Sequence, residues 1–84
     1  MSSAAAPERE YTFTILLDPD EEDGGYTVTV PALPGVVTQG ETVEECQERA
    51  RAAIALHIEG LLARSLPVPE ERLQPQLTTV SVVA

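Results

Sequence analysis

The sequence predicts an α+β domain in which one helix packs on one face of an antiparallel sheet, in the order β-β-β-α-β. Three observations lead to this class. Apolar and polar residues alternate along the early segments, which is the period of a half-buried strand, and a late segment is rich in β-branched residues. Between residues 43 and 64 the apolar spacing changes to that of an amphipathic helix. The 84 residues suffice for one domain, predicted over residues 10–84, behind a small, polar leader, residues 1–9, that is expected to be disordered.

The first two predicted strands are joined by an acidic connection. The segment "YTFTILL", residues 11–17, alternates well, with Thr12 and Thr14 opposite its apolar face, and "YTVTV", residues 26–30, repeats the pattern. The first strand is expected to direct one set of side chains to the core: Tyr11, Phe13, Ile15 and Leu17. The intervening "DPDEEDGG" can neither be buried nor form a strand, and Gly24 and Gly25 supply the unusual backbone angles of a tight connection.

A proline–glycine turn is predicted to reverse the chain after the second strand. Pro34 and Gly35 suit the central positions of a type II turn, because proline fixes the first φ and glycine accepts a positive second φ. The segment "VVTQ", residues 36–39, then runs back as the third strand and completes a three-stranded meander. Thr42 and Glu45 match a capping box, which predicts that a helix begins here.

The predicted helix ends near Arg64, because Pro67 and Pro69 prevent its continuation. Its apolar face is broad and contains Val43, Cys46, Ala50, Ala53, Ile54, His57, Ile58 and Leu61. A last strand is predicted over residues 77–83, "LTTVSVV", which is uncharged and rich in β-branched residues. Such a strand invites pairing if its edge is left bare. We therefore expect a homo-oligomer, dimeric or larger, with subunit contacts through Leu77, Thr79, Val80 and Val82.

The charge of the chain restricts its partners. Fourteen acidic residues face five arginines and no lysine, giving a net charge of −9. Binding to nucleic acid or to an anionic membrane is disfavoured, since both require basic side chains. Attraction to a basic protein and simple solubility both remain as explanations of the excess. The predicted partner-binding surface is the acidic run Asp18, Asp20, Glu21, Glu22 and Asp23, with a solvated loop as the alternative.

No catalytic residue, metal or cofactor is predicted. Two-metal hydrolysis requires converging carboxylates, and the four predicted strands contain no Asp or Glu. The run that starts at Asp18 begins like a calcium loop, but Asp23 stands where the sharp turn needs glycine. His57 lacks a nucleophile or second acid among its helical neighbours, so it is expected to pack beside the sheet or an oligomer contact. Cys46, the single cysteine, is expected to be a small buried side chain.

The sequence also predicts a location. Its first residues contain no basic segment followed by an apolar segment, as a signal peptide would, and no stretch approaches the length of a membrane span. A lone cysteine fits a reducing compartment. We expect the protein in the cytoplasm.

Several short motifs follow one another across residues 11–83. After the acidic loop come "GGY", a "P-x-LPG" turn, "TQG", a "T-x-EE" helix start and "P-x-P" behind the helix. The matching positions are Gly25-Tyr26, Pro31, Leu33-Pro34-Gly35, Thr38-Gln39-Gly40, Thr42, Glu44-Glu45 and Pro67-x-Pro69. This ordered set resembles the HicB antitoxin family, also described as HicB-like domains of the partial RNase H type. Cys46 departs from the family, which usually has alanine there.

The resemblance implies a non-enzymatic, usually homo-oligomeric domain that binds HicA, a small basic RNA-cleaving toxin, and blocks its active surface. Many members carry a C-terminal DNA-binding segment. No such segment is recognised here, so operator binding is not expected. The alternative is an orphan HicB-like domain that self-associates and has a different partner or ligand.

Overall fold

The computed structural model describes residues 9–84 and contains a three-stranded antiparallel sheet followed by one long helix. The elements are β1 (Leu16–Pro19), β2 (Tyr26–Thr29), β3 (Val37–Gly40) and α1 (Val43–Ala63). The strands lie in the order β1-β2-β3, with both pairs antiparallel. The α+β class and the meander are therefore as predicted. The expected leader lies outside the described residues except for Arg9.

Strand β1 is displaced toward the carboxyl end of the segment predicted to form it. It begins at Leu16 and continues through Asp18, which pairs with Thr27, to Pro19. A proline is tolerated in β1 because this strand lies at the edge of the sheet. The expectation that the strands contain no carboxylate is therefore wrong at Asp18, whose side chain is exposed.

The displacement arises from the way the chain leaves β2. The Leu33 amide donates to the Val30 carbonyl at 2.9 Å, which closes a tight turn just after the strand. Pro31 also has no N–H with which to continue the ladder. Within residues 9–84, residues 11–15 consequently precede β1 without a partner strand.

The turn before β3 has the geometry that its sequence predicts. The Val36 amide donates to the Leu33 carbonyl at 3.1 Å. Gly35 has φ +97°, the left-handed value that a type II turn requires at its second central position. The Pro34-Gly35 turn is thus confirmed.

Helix α1 begins with a modified capping box. Thr42 is the N-cap, and its side chain accepts a hydrogen bond from the Glu45 amide at 3.1 Å. The Glu45 carboxylate accepts from the Glu41 amide at 2.7 Å, one residue before the amide that a standard capping box uses. Both bonds satisfy polar groups at the start of the helix, as the sequence predicts.

Helix α1 ends by a Schellman motif. The Ser65 amide donates to the Leu62 carbonyl at 3.0 Å, and the Leu66 amide donates to the Leu61 carbonyl at 2.9 Å. Ser65 has φ +55°, which this motif requires and which glycine usually supplies. The helix therefore stops, as expected, before it meets Pro67.

The core lies between the sheet and α1. Seven hydrophobic residues are buried among residues 9–84: Val28, Val30, Leu33, Val36, Cys46, Ala50 and Ile58. Phe13, Ile15 and Leu17 pack against these residues, which confirms three of the four side chains predicted to face inward from the first segment. Tyr11, the fourth, is half-buried and stacks on Phe13 instead. So small a core leaves a large part of the apolar surface unburied.

The buried face of α1 is narrower than predicted. Cys46 is fully buried, as expected, but Val43 and His57 are exposed. The packing of His57 on the sheet is therefore wrong, because the helix turns this side chain away from the sheet. Contact of His57 with another subunit stays a prediction.

The strand predicted over residues 77–83 is not formed in this structure. No strand is assigned within residues 73–84, which we call the C-terminal arm. The described chain measures 66 × 28 × 20 Å, whereas a 21-residue helix is only about 31 Å long. The arm accounts for the excess, because it projects from the domain instead of joining its sheet.

Candidate protein-binding surfaces

The acidic run forms a fixed turn between β1 and β2. The Asp20 amide donates to the Gly25 carbonyl, and the Gly24 amide donates to the Asp20 carbonyl, both at 3.0 Å. One carboxylate oxygen of Asp20 also accepts from the amides of Glu22 and Asp23, at 2.9 and 3.1 Å. Asp20 thus orders the loop through local hydrogen bonds.

The structure brings the predicted acidic residues together on one exposed protrusion. All five side chains are exposed: Asp18, Asp20, Glu21, Glu22 and Asp23. Asp20 serves partly to order the turn, which the charge pattern alone did not show. Within residues 9–84, no group of three or more His, Cys, Asp or Glu side chains is placed to hold a metal ion.

The predicted oligomer contacts lie on the arm and are strongly exposed. Relative exposure is 85% at Leu77, 84% at Val80, 82% at Val82 and 100% at Val83. Apolar residues so concentrated in one segment are unusual on a monomeric surface and are typical of sites of association. Thr79 lies among them and is exposed as well. The subunit contact itself stays a prediction.

A second apolar surface was not predicted from the sequence. A groove of about 1020 Å³ runs between residues 9–15 and α1. Its apolar lining includes Phe13, Ile15, Ile54, Ile58 and Leu62. Helix α1 lies mainly over β3, so the β1 side of the helix layer stays open. The signal in the sequence was the lack of a second helix to cover this side.

The arm is attached to the domain at the end where α1 finishes. The carboxylate of Glu71 accepts hydrogen bonds from the Thr14 amide at 2.9 Å and from the Thr14 hydroxyl at 2.6 Å. Next to it, Arg9 pairs with Glu70 and lies over the ring of Tyr11, 5.2 Å from its centroid. Sequence reasoning missed this attachment, since a glutamate in a linker gives no sign of its distant partner.

The acidic loop and the arm lie at opposite ends of the domain. Tyr26, which follows the loop, is paired with Gly40, and Gly40 lies three residues before the start of α1 at Val43. The arm emerges beyond Ala63, at the other end of the helix. Binding at one surface therefore leaves the other surface free.

In the part of the chain that the structure describes, no helix combines the length and apolar character needed to cross a membrane. The histidine and cysteine candidates lie in different surroundings: His57 is exposed, and the Cys46 thiol is buried without a disulfide partner.

Comparison with known proteins identifies relatives over most of the chain. Residues 13–79 match the family described as HicB-like antitoxin of bacterial toxin–antitoxin systems. A UPF0150 protein of Synechocystis sp. is 45% identical over 67 residues, covering 80% of this chain and 84% of the relative. A UPF0150 protein of Thermoplasma acidophilum is 39% identical over 62 residues, covering 74% and 88%. A third, from Archaeoglobus fulgidus, is 47% identical over 47 residues, covering 56% and 67%.

Proposed function

The chain belongs to the HicB-like antitoxins of bacterial toxin–antitoxin systems, and from this premise we propose that it neutralises a small, basic, RNA-cleaving toxin of the HicA type. It binds the toxin in the cytoplasm and covers the surface that would otherwise receive RNA. The proposed role is one of binding, and no catalytic step is assigned to the chain.

The acidic loop is the observation that carries this proposal. A protein that binds RNA must neutralise phosphates with basic side chains. A cluster of exposed carboxylates is the complementary surface, and the net charge of −9 adds a long-range attraction toward a basic partner. In the proposed complex, the carboxylates of Asp18, Glu21, Glu22 and Asp23 occupy the positions of RNA phosphates.

The order of the loop supports the same role. Because the Asp20 carboxylate is bonded to two amides of the turn, the neighbouring side chains are presented from a defined backbone. A surface that is already ordered loses less conformational entropy on binding than a flexible one. The loop also stands clear of the core, so the proposed complex requires no rearrangement of the fold.

The test is inhibition of a purified HicA-like toxin. We expect the chain to stop cleavage of a model RNA when it is present in molar excess, and to co-purify with the toxin at low ionic strength. Retention should weaken as salt is raised, since screening acts on exposed charges. Full cleavage in the presence of excess chain, with no complex retained at low salt, would refute the proposal.

The second candidate is a self-associating HicB-like domain with a different partner. The exposed apolar arm favours it, because this surface is independent of the acidic loop. The same experiment separates the two candidates: a self-associated chain that neither binds nor inhibits the toxin supports the second.

A further inference from the structure

We propose that the C-terminal arm of one copy adds as an edge strand to residues 11–17 of a second copy and covers the groove beside α1. The exchange is reciprocal, so that two copies form a symmetric dimer in which each groove is completed by the other chain. This inference concerns the chain alone and does not depend on the toxin proposal.

The arm has the properties of a strand without a sheet. Its residues alternate between two faces when extended, and no strand partner satisfies its backbone groups within the described chain. Its three valines and two leucines are each more than four-fifths exposed. A long, uncharged, apolar segment of this kind pairs with any accessible sheet edge.

The outer edge of β1 offers the complementary backbone groups. In an antiparallel ladder, backbone groups face the partner strand at every second residue. Asp20 and Gly25 form a bonded pair, and two residues earlier Asp18 pairs with Thr27. The backbone N–H and C=O groups of the even-numbered residues of β1 therefore face β2. The same alternation continues toward the amino-terminal side of β1, so the backbone groups that face away from β2 belong to the odd-numbered residues Tyr11, Phe13, Ile15 and Leu17.

The other edge of the sheet is less suitable. By the same alternation, Thr38 and Gly40 face β2, so the backbone of Gln39 faces outward from β3. The Arg49 guanidinium donates to the Gln39 carbonyl at 3.2 Å and occupies that acceptor. Strands β1 and β3 are both four residues long, but β3 leads at once into the N-cap of α1, whereas residues 11–15 continue beyond β1, so that residues 11–17 match the seven residues of the segment 77–83.

The groove determines which face of the arm is buried. At the centre of the arm, one face carries Val80 and Val82, and the other carries Thr79 and Ser81. Toward the ends, Thr78 lies on the first face, and Leu77 and Val83 lie on the second. Turning the second face inward would bury two hydroxyls against an apolar lining, which costs free energy unless they find partners. Val80 and Val82 are therefore assigned to the groove, where they meet Phe13 and Ile54.

A second copy, and not the chain's own arm, is the occupant. Glu71 is fixed at Thr14, and from there the arm leads away from its own groove, as the exposure of its valines records. The acidic loops lie at the far end of each domain and stay free in the dimer.

The test measures the molar mass in solution of the wild-type chain and of two pairs of variants. The wild-type chain should have twice the 9.0 kDa of a single chain. V80D/V82D should reduce it to one chain, whereas T79D/S81D, with the same charge on the opposite face, should leave the dimer. On the receiving side, L62D should also give a single chain, since Leu62 lines the groove. L56D is its control, because Leu56 is also an exposed leucine of α1, at 71% against 58% for Leu62, and lies outside the groove lining.

Mixing supplies the decisive measurement. The L62D chain keeps an intact arm and the V80D/V82D chain keeps an intact groove, so their mixture should regain a two-chain mass that neither has alone. Circular dichroism confirms that each variant retains the helix. A wild-type chain of single mass at micromolar concentration would overturn the proposal. So would an undisturbed V80D/V82D dimer, or a mixture of the two folded variants that stays at single mass.

Discussion

Both carboxylate oxygens of Glu71 accept hydrogen bonds from Thr14, one from its backbone amide at 2.9 Å and the other from its side-chain hydroxyl at 2.6 Å. The two residues are 57 positions apart in the chain. Among the described residues, Thr14 has no partner strand, because β2 ends before it reaches this residue, and the Glu71 carboxylate accepts the hydrogen bond in place of such a strand. The contact also attaches the segment that leads into the arm to the segment that leads into β1.

Removal of the Glu71 carboxylate should therefore destabilise the domain. We expect E71A to lower the free energy of unfolding by about 1–3 kcal/mol, because a part-buried amide loses a charged acceptor. E71Q should retain most of the stability, since its amide oxygen still accepts from Thr14. The measurement is urea denaturation at a fixed chain concentration.

The adjacent Glu70 is the matched control. Its pairing with Arg9 is exposed on both sides, and exposed ion pairs contribute about 0–1 kcal/mol. E70A should thus change the unfolding free energy less than E71A. Equal effects would mean that Glu71 acts through net charge and not through its bonds to Thr14.

Two glycines should respond in opposite directions to the same substitution. A Cβ at Gly40 would lie 2.9 Å from both the backbone nitrogen and the Sγ of Cys46, so G40A should cost about 1–3 kcal/mol by overpacking. A Cβ at Gly60 would meet nothing within 4 Å, and G60A should stabilise α1 by about 0.5–1 kcal/mol. Thermal unfolding of the two variants tests the pair, and a common sign would contradict the packing described.

Features of this fold that depend on residues close together in the sequence can be predicted from it, and features that depend on distant residues cannot. The Thr42 cap, the Pro34-Gly35 turn and the inward face of Ile15 depend on residues near in sequence, and all three are found in the structure. The start of β1 at Leu16 depends on the end of β2. That end is set by Pro31, which lies just after β2 and far from Leu16 in the sequence. Period-2 alternation over residues 11–17 carries no information about that partner.

The candidate surfaces divide in the same way. The acidic loop is visible in the sequence because charge is a local property, and the structure brings its carboxylates onto one protrusion. The groove at Ile54 and Leu62 is not visible in the sequence, because it lies where the described elements leave one side of the helix uncovered. His57 was misplaced because a broad helical face in a sequence does not indicate how much of it a narrow sheet can bury.

The Cys46 thiol should be a sensitive reporter of opening. It is fully buried in the core beside Val28 and Ala50, so reagents reach it only when the structure opens. We expect the native chain to react with a thiol reagent far more slowly than the urea-unfolded chain. G40A should accelerate the native reaction, because it disturbs the packing around the sulfur. Labelling of the native chain at the unfolded rate would show that Cys46 is not protected.

The acidic loop should govern the rate of partner binding and not the stability of the fold. E21Q/E22Q removes two exposed charges whose side chains make no hydrogen bond within residues 9–84, so unfolding should be almost unchanged. Association with a HicA-like toxin should slow several-fold at low ionic strength, and its dependence on salt should weaken. Stopped-flow mixing at several salt concentrations measures both.

The control for this loop variant is E44Q/E48Q, which removes the same charge from the exposed surface of α1. If net charge alone drives association, the two variants will slow it equally, and the loop has no special part in recognition. If the loop is the contact, E21Q/E22Q will also dissociate faster than wild type, because the carboxylates are paired in the complex. E44Q/E48Q will then change only the long-range attraction, so its dissociation rate should equal that of wild type.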